Sequence, residues 1–306
     1  MMDPLSELLS LLKPRSYITA GFDAGGDWSL RLDDLAGRIK CYAVIRGSCW
    51  LRLEGEGEAP IHLTEGDCFV LPSGRHARIA SDLDLKPVLA SRSLSPDRDG
   101  ETVVYNGGGD VLLAGSRFEV SGRHAESLLQ TLPPVIHLSR ATDQALLRWC
   151  IDLMMQELRE GRPGAALVAQ QLAHMMLVQT LRIYMDRTPN DRMGWLAALA
   201  HPQLGAALGV VHADPGHRWT LGELAGTAGM SRTVFARRFR EVLGETPLGY
   251  VTRWRMILAA ERLVSTRASL GEIAQAVGYE SENAFNVAFK RVMGAAPRRY
   301  ARGEAG

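Results

Sequence analysis

Two short stretches near the C-terminal end carry side chains suited to reading a nucleic acid. The first offers Arg232, Thr233, Ala236, Arg237 and Arg240, and the second offers Glu282, Asn283, Asn286, Lys290 and Arg291. An arginine can grip a guanine edge with two parallel hydrogen bonds, and an asparagine can do the same for adenine. Arg240, Lys290 and Arg291 come late in their stretches, where phosphate contact is the better use of a cation. Ser231 and Ser281 open the two stretches and are placed with them in the candidate interface.

These side chains need helices to hold them, and the sequence supplies the same helical pair twice. TLGELAGTAGMSRTVFARRFREVLGETPLGY runs from Thr220 to Tyr250, and SLGEIAQAVGYESENAFNVAFKRVMGAAPRRY runs from Ser269 to Tyr300. Gly229 matches Gly278 at an offset of 49, and one inserted residue then moves the offset to 50 for Phe235/Phe285, Phe239/Phe289, Gly244/Gly294, Pro247/Pro297 and Tyr250/Tyr300. Thr220-x-x-Glu223 and Ser269-x-x-Glu272 are capping boxes that open a first helix. Gly229 and Gly278 can take the left-handed conformation that ends it, and Ser231 and Ser281 can cap a second helix. The phenylalanines four apart lie on one face of that second helix and pack inward, leaving the polar face to meet a ligand.

The spacer between the units reads as one helix. Thr246 can cap it, Pro247 suits its first position, and Val251, Trp254 and Leu258 share a face as far as about Val264. Some 18 residues at 1.5 Å each give roughly 27 Å, approaching the ~34 Å between successive major grooves on one side of B-DNA. The expectation is two reading helices held in adjacent grooves by a rigid spacer.

Charge distribution agrees with a polyanion partner for this end. Residues 214–306 hold 14 Lys/Arg against 9 Asp/Glu, whereas the remainder holds 21 against 25 and the whole chain is +1. The 306 residues suggest two or three domains. There is no run of 18 apolar residues and no signal-peptide pattern at the start, so a cytoplasmic protein without membrane association is expected. Cys41, Cys49, Cys68 and Cys150 form no CxxC pair, which argues against a disulfide scaffold or a structural zinc site.

Residues 16–95 read as short strands separated by turns, a small antiparallel barrel or jelly roll. Gly47-Ser48 suits a two-residue hairpin between Ile39–Arg46 and Cys49–Leu53. In that register Cys41 and Cys49 face opposite ways, so a disulfide between them is unfavourable, while Cys41 with Cys68 stays open. Cys41, Ala43, Trp50 and His76 are expected to line the interior, making Cys41, Trp50 and His76 the candidate effector-binding residues. Gly107-Gly108-Gly109 lacks the G-x-G-x-x-G pattern, so a nucleotide site is unsupported. Val111–Val120 is strand-like. Residues 143–184 are helical with a break at Gly161–Gly164, and Gly194–Val211 adds a helix.

The residues of the C-terminal repeat carry a family resemblance. Residues 212–302 resemble the AraC/XylS DNA-binding domain, with GYESENAFNVAFKRVMGAAPRRYAR from Gly278 to Arg302 close to that family's signature. HADPGHRWTLGELAGTAGMSRTVFARRF, from His212, resembles the subgroup with a cupin-type regulatory domain in front, and GD…LPSGRHA resembles a cupin motif. The resemblance implies an α+β chain: a cupin-like regulatory region over 1–140, a helical dimerisation or linker region over 141–211, and a DNA-binding domain with two helix-turn-helix units over 212–306. It implies sequence-specific transcription control, often activation through RNA polymerase, a small-molecule effector, and a homodimer formed by the intervening helices.

Metallo-cupins present an H-x-H pair, a Glu and a further His. Here the H-x-H positions hold Cys41 and Ala43, with only His76 kept. No catalytic residue, metal or cofactor is therefore expected, and a metal-dependent cupin enzyme fused to a DNA-binding domain is the weaker alternative. Some relatives in the subgroup respond to oxidants through cysteines, which leaves a thiol-based regulator as the nearer one.

Overall fold

The computed structural model describes residues 3–12, 15–33, 35, 37–55, 59–72, 74–93, 102–119, 129, 132–139, 145–160, 162–187 and 193–302. Val120, Gly161 and residues 143–144 of the expected segments lie outside these. The chain divides into two compact units.

The first unit is built on two sheets. Its strands are β1 (Arg15–Ala24), β2 (Ser29–Leu32), β3 (Arg38–Arg46), β4 (Ser48–Leu53), β5 (Ile61–Thr64), β6 (Cys68–Leu71), β7 (Ala77–Ala80), β8 (Val88–Leu89), β9 (Val103–Tyr105), β10 (Val111–Glu119) and β11 (Ile136–Leu138). One sheet has the order β11-β6-β3-β10-β1-β9 and the other β5-β4-β7-β2-β8. Leu30, Leu32, Leu51, Leu53 and Ile79 from the second meet Phe22, Val44, Phe69, Leu71 and Leu113 from the first in one core. Alternation produces this: along β4, Cys49, Leu51 and Leu53 are buried while Ser48 and Arg52 are exposed.

The expected Gly47-Ser48 hairpin does not form. β3 pairs with β10 and β6, whereas β4 pairs with β5 and β7 in the other sheet. Gly47 is a corner, not a hairpin turn. Its φ is +76°, and a Cβ there would stand 2.1 Å from the Asp110 carbonyl oxygen. Turn chemistry could not distinguish the two, because both need glycine. Burying Val44 and Leu51 in one core between the sheets decided it. The stretch from Glu65 to Ile79 likewise divides, β6 joining one sheet and β7 the other.

Among the described residues this unit also has the short α2 (Ala90–Ser93) and two longer helices, α3 (Ala145–Glu160) and α4 (Ala165–Arg187), which pack on each other. Leu147, Cys150, Leu172, Met176 and Leu177 are buried, while Trp149 and Leu167 are exposed.

The second unit is helical: α1 (Pro4–Leu12), α5 (Trp195–Ala200), α6 (Pro202–Ala213), α7 (Leu221–Thr227), α8 (Arg232–Leu243), α9 (Pro247–Ser265), α10 (Leu270–Ala276), α11 (Glu282–Met293) and α12 (Pro297–Ala301). The single helix expected over Gly194–Val211 is split at His201. Its ring Nδ1 accepts from the backbone N–H groups of Gln203 and Leu204, and Pro202 starts the next helix. α1, at the far end of the sequence, packs on α6 with Leu5, Leu8, Leu11 and Leu12 buried.

Candidate nucleic-acid interface

The two repeats fold alike down to their caps. In the first, the Thr220 hydroxyl accepts from the Glu223 backbone N–H at 3.2 Å while the Glu223 carboxylate accepts from the Thr220 backbone at 2.8 Å. In the second, Ser269 and Glu272 repeat both bonds at 3.2 and 2.7 Å. These bonds hold both glutamate carboxyls below the usual carboxylate range, with the hydrogen bonds from the capping residue as the main cause. Gly229 and Gly278 take left-handed φ values of +61° and +80° in the turns. Ser231 then caps α8 at the Val234 N–H, and Ser281 caps α11 at the Ala284 N–H. Both reading helices end on a left-handed glycine, Gly244 or Gly294.

The phenylalanine pairs hold each helix in register. Phe235–Phe239 and Phe285–Phe289 both have ring centroids 5.5 Å apart. Tyr250 meets Phe239 edge-on at 5.8 Å, and Tyr300 meets Phe289 at 5.4 Å. With this face buried, Arg232, Thr233, Arg237 and Arg240 of α8 are exposed, as are Glu282, Asn283, Lys290 and Arg291 of α11. Ala236 and Asn286, at equivalent positions, are half-buried on the flank. Arg232 and Glu282 lie back over the first helix of their own unit, close to Gly222 and Gly271.

The outermost line of each helix follows from 100° per residue. It runs through Thr233, Arg237 and Arg240 in α8, and through Asn283, Val287 and Lys290 in α11. Val287 is not among the interface residues expected from the sequence, because that expectation rests on polar groups and valine has none. Its position four residues after Asn283 and two from each inward phenylalanine was the signal that could have found it.

The spacer α9 spans 19 residues, about 28 Å. Thr246 caps it at the Gly249 N–H. Tyr250, Val251 and Trp254 are buried near its start, and Met256, Ala259 and Ala260 join the core of the second repeat. Arg255, on the spacer, ties the segment leading into the first repeat to the second repeat. It donates to the carbonyls of Pro215 at 2.6 Å and His217 at 2.7 Å, and its guanidinium stands 5.8 Å from the Tyr279 ring centroid. Burial pushes its pKa down and that of Tyr279 up. Gly278 closes the same junction: a Cβ there would lie 2.3 Å from the Gly216 carbonyl oxygen. The two reading helices are thus carried by one continuous body.

The candidate effector residues are not gathered. The inner face of the sheets is the Val44, Cys49 and Leu51 face, so Cys41 and Ala43, one residue out of phase on β3, are buried on its other side. Trp50 also points away from the core and lies against His62, with ring centroids 4.6 Å apart. His76 is exposed. The alternation itself is as expected, with Val44 and Cys49 on one face and Cys41, Ala43 and Trp50 on the other, but the first set is the inward one, and the corner at Gly47 puts Cys41 and Trp50 on the outer faces of two different sheets. Cys41 and Cys68 do occupy one face of adjoining strands, Cys68 opposite Ala43. Burial, and secondarily Cys68, pushes the Cys41 thiol far above its usual range.

Comparison with known proteins agrees with this geometry. Residues 3–186 match the family described as Cupin, and residues 224–303 match the family described as Helix-turn-helix domain. A putative AraC-like transcription regulator of Streptomyces antibioticus is 42% identical over 98% of each chain. The RCS-specific HTH-type transcriptional activator RclR of Escherichia coli is 31% identical over 98% of this chain and 97% of its own. The solved C-terminal domain of AraT, a response regulator from Geobacillus stearothermophilus, is 31% identical over 34% of this chain and 86% of that one, with a TM-score of 0.32. With a cupin region followed by a doubled helix-turn-helix, and relatives matched over nearly their whole length, the chain belongs to the AraC-type DNA-binding transcription regulators.

Proposed function

We propose that the chain reads one specific DNA sequence by setting α8 and α11 into adjacent major grooves, under control of a small molecule held by the cupin region. The carrying observation is the duplicated geometry of two exposed polar helices on one 19-residue spacer. Arg237 is the candidate guanine contact and Asn283 and Asn286 the candidate adenine contacts. Arg240, Lys290 and Arg291 serve phosphates. A gel-shift titration on a promoter fragment tests this. Arg237→Ala with Asn286→Ala is expected to abolish discrimination between that fragment and random DNA. Unchanged discrimination overturns the assignment of the reading face.

Family membership supports effector control and contact with RNA polymerase. The exposed Trp149 and Leu167 of α3 and α4 support a homodimer formed by these helices, which light scattering of the wild type and Trp149→Glu would test. A thiol-based response is the second reading, favoured by the adjacency of Cys41 and Cys68 and by the relative named as an RCS-specific activator. Burial of Cys41 opposes it, since the thiolate is the reactive species. Mass spectrometry after mild oxidant, with no change at Cys41 or Cys68, removes this reading.

A further inference from the structure

The two reading helices differ most where their outer lines should match. Arg237 and Val287 occupy equivalent positions, each two residues after the first inward phenylalanine and two before the second. Both helices have the same phenylalanine spacing, the same serine cap and the same glycine stop. Val287 is 64% exposed, so burial in the fold does not account for it. A β-branched residue in mid-helix is also a weaker helix former than alanine or arginine. Neither local propensity nor packing calls for valine here. It stands on one line with Asn283, four residues before, and Lys290, three residues after, so it shares their surroundings.

Double-stranded DNA offers one apolar group on the base edges of its major groove, the 5-methyl of thymine. We infer that Val287 packs against a thymine methyl in the half-site read by α11, while Arg237 takes a polar base edge in the half-site read by α8. This rests on the reading of α8 and α11 as the DNA-contacting helices. The two half-sites are then chemically unlike although the two units share one fold. The first is chosen by hydrogen bonding and the second partly by a methyl group. Asn283 and Lys290 flank the methyl contact and keep a polar base and the backbone within reach.

The test uses the purified full-length protein and a random-sequence duplex pool two to three helical turns long. Selection yields a bound site, and versions of it are then made with each thymine replaced in turn by deoxyuridine, which deletes only the methyl. Affinities are measured by fluorescence anisotropy for wild type, Val287→Ala and Arg237→Ala. One thymine is expected whose replacement weakens wild type by about fourfold, the worth of one buried methyl. Val287→Ala should bind the thymine and uracil versions equally, and Arg237→Ala should keep the difference. Sequence-selective binding with no such thymine, or a difference that survives in Val287→Ala, overturns the methyl contact and leaves the DNA-reading assignment standing. Failure to select any site overturns both. Alanine at an exposed helical position preserves the fold, so loss of structure does not confuse the result.

Discussion

Glu7 and His212 lie 205 residues apart in the chain, and their side chains meet at 2.6 Å. The other ring nitrogen of His212 meets the Tyr250 hydroxyl at 2.7 Å, and the Trp195 indole N–H donates to that same hydroxyl at 2.9 Å. The imidazole also lies against Trp254, with ring centroids 4.1 Å apart. With a neutral ring every donor finds an acceptor: indole to hydroxyl, hydroxyl to Nε2, and Nδ1–H to the Glu7 carboxylate. The network thus joins α1 to α6 and to the spacer α9 that carries both reading helices.

Removing the centre of that network should be costly. Tyr250→Phe keeps the ring contact with Phe239 but strands the Trp195 N–H and His212 Nε2 in a buried site. The expected loss is about 1–3 kcal/mol, read as a lower urea midpoint for the helical unit. In Glu7→Ala the amides of α1 should exchange hydrogen faster, while those of the β3–β10 ladder keep their protection. Equal exchange of α1 in both proteins would show that its leucines alone hold it.

The two glycines with similar φ separate conformational strain from steric exclusion. Gly244 at +76° has open space where a Cβ would be, whereas Gly278 at +80° has the Gly216 carbonyl oxygen at 2.3 Å. Gly244→Ala is expected to cost roughly 1–2 kcal/mol from left-handed backbone alone. Gly278→Ala should cost distinctly more and should also weaken DNA binding, because it pushes the second repeat off the segment that leads into the first. Thermal melts of both variants, with one binding titration, check the order.

Arg255→Lys should show that the junction needs a guanidinium. A lysine cannot reach two carbonyls with one planar fork. The expected destabilisation is about 2 kcal/mol, typical of lost hydrogen bonds to a charged group. The same denaturant titration measures it.

Salt dependence should identify the phosphate contacts. Arg240→Ala and Lys290→Ala are each expected to reduce the slope of log affinity against log salt by about one, with little change in sequence preference. A variant that changes preference without changing the slope is a base contact.

Alkaline pH should expose the buried thiols. Burial pushes the Cys49 thiol from an ordinary 9.0 up to about 12. Its folded pKa is raised, so its contribution is whole below pH 9 and is lost as pH climbs toward 12, because only the unfolded chain releases the proton. The slope is about 1.4 kcal/mol per pH unit within that window. Between pH 9 and 10.5 the stability of wild type should therefore fall more steeply than that of Cys49→Ala, read by denaturant titration at each pH.

The C-terminal repeat is legible along the chain, because everything that builds it is local. Capping boxes, turn glycines and paired phenylalanines each act within about five residues, and their recurrence makes each a check on the other. The spacer helix was legible for the same reason, and so was the exposed polar face; even Val287 could have been found from its spacing. The fate of β4 was not legible, since Gly47 serves a hairpin and a corner equally well and only burial between two sheets selects the corner. That choice put Cys41 and Trp50 on the outer faces of two different sheets, while His76 is left exposed. The docking of α1 was likewise decided by tertiary structure alone. An amphipathic helix shows that it must bury a face, but its partner surface on α6, and the Glu7–His212 contact beside it, come from residues two hundred positions away, whose proximity no local pattern encodes.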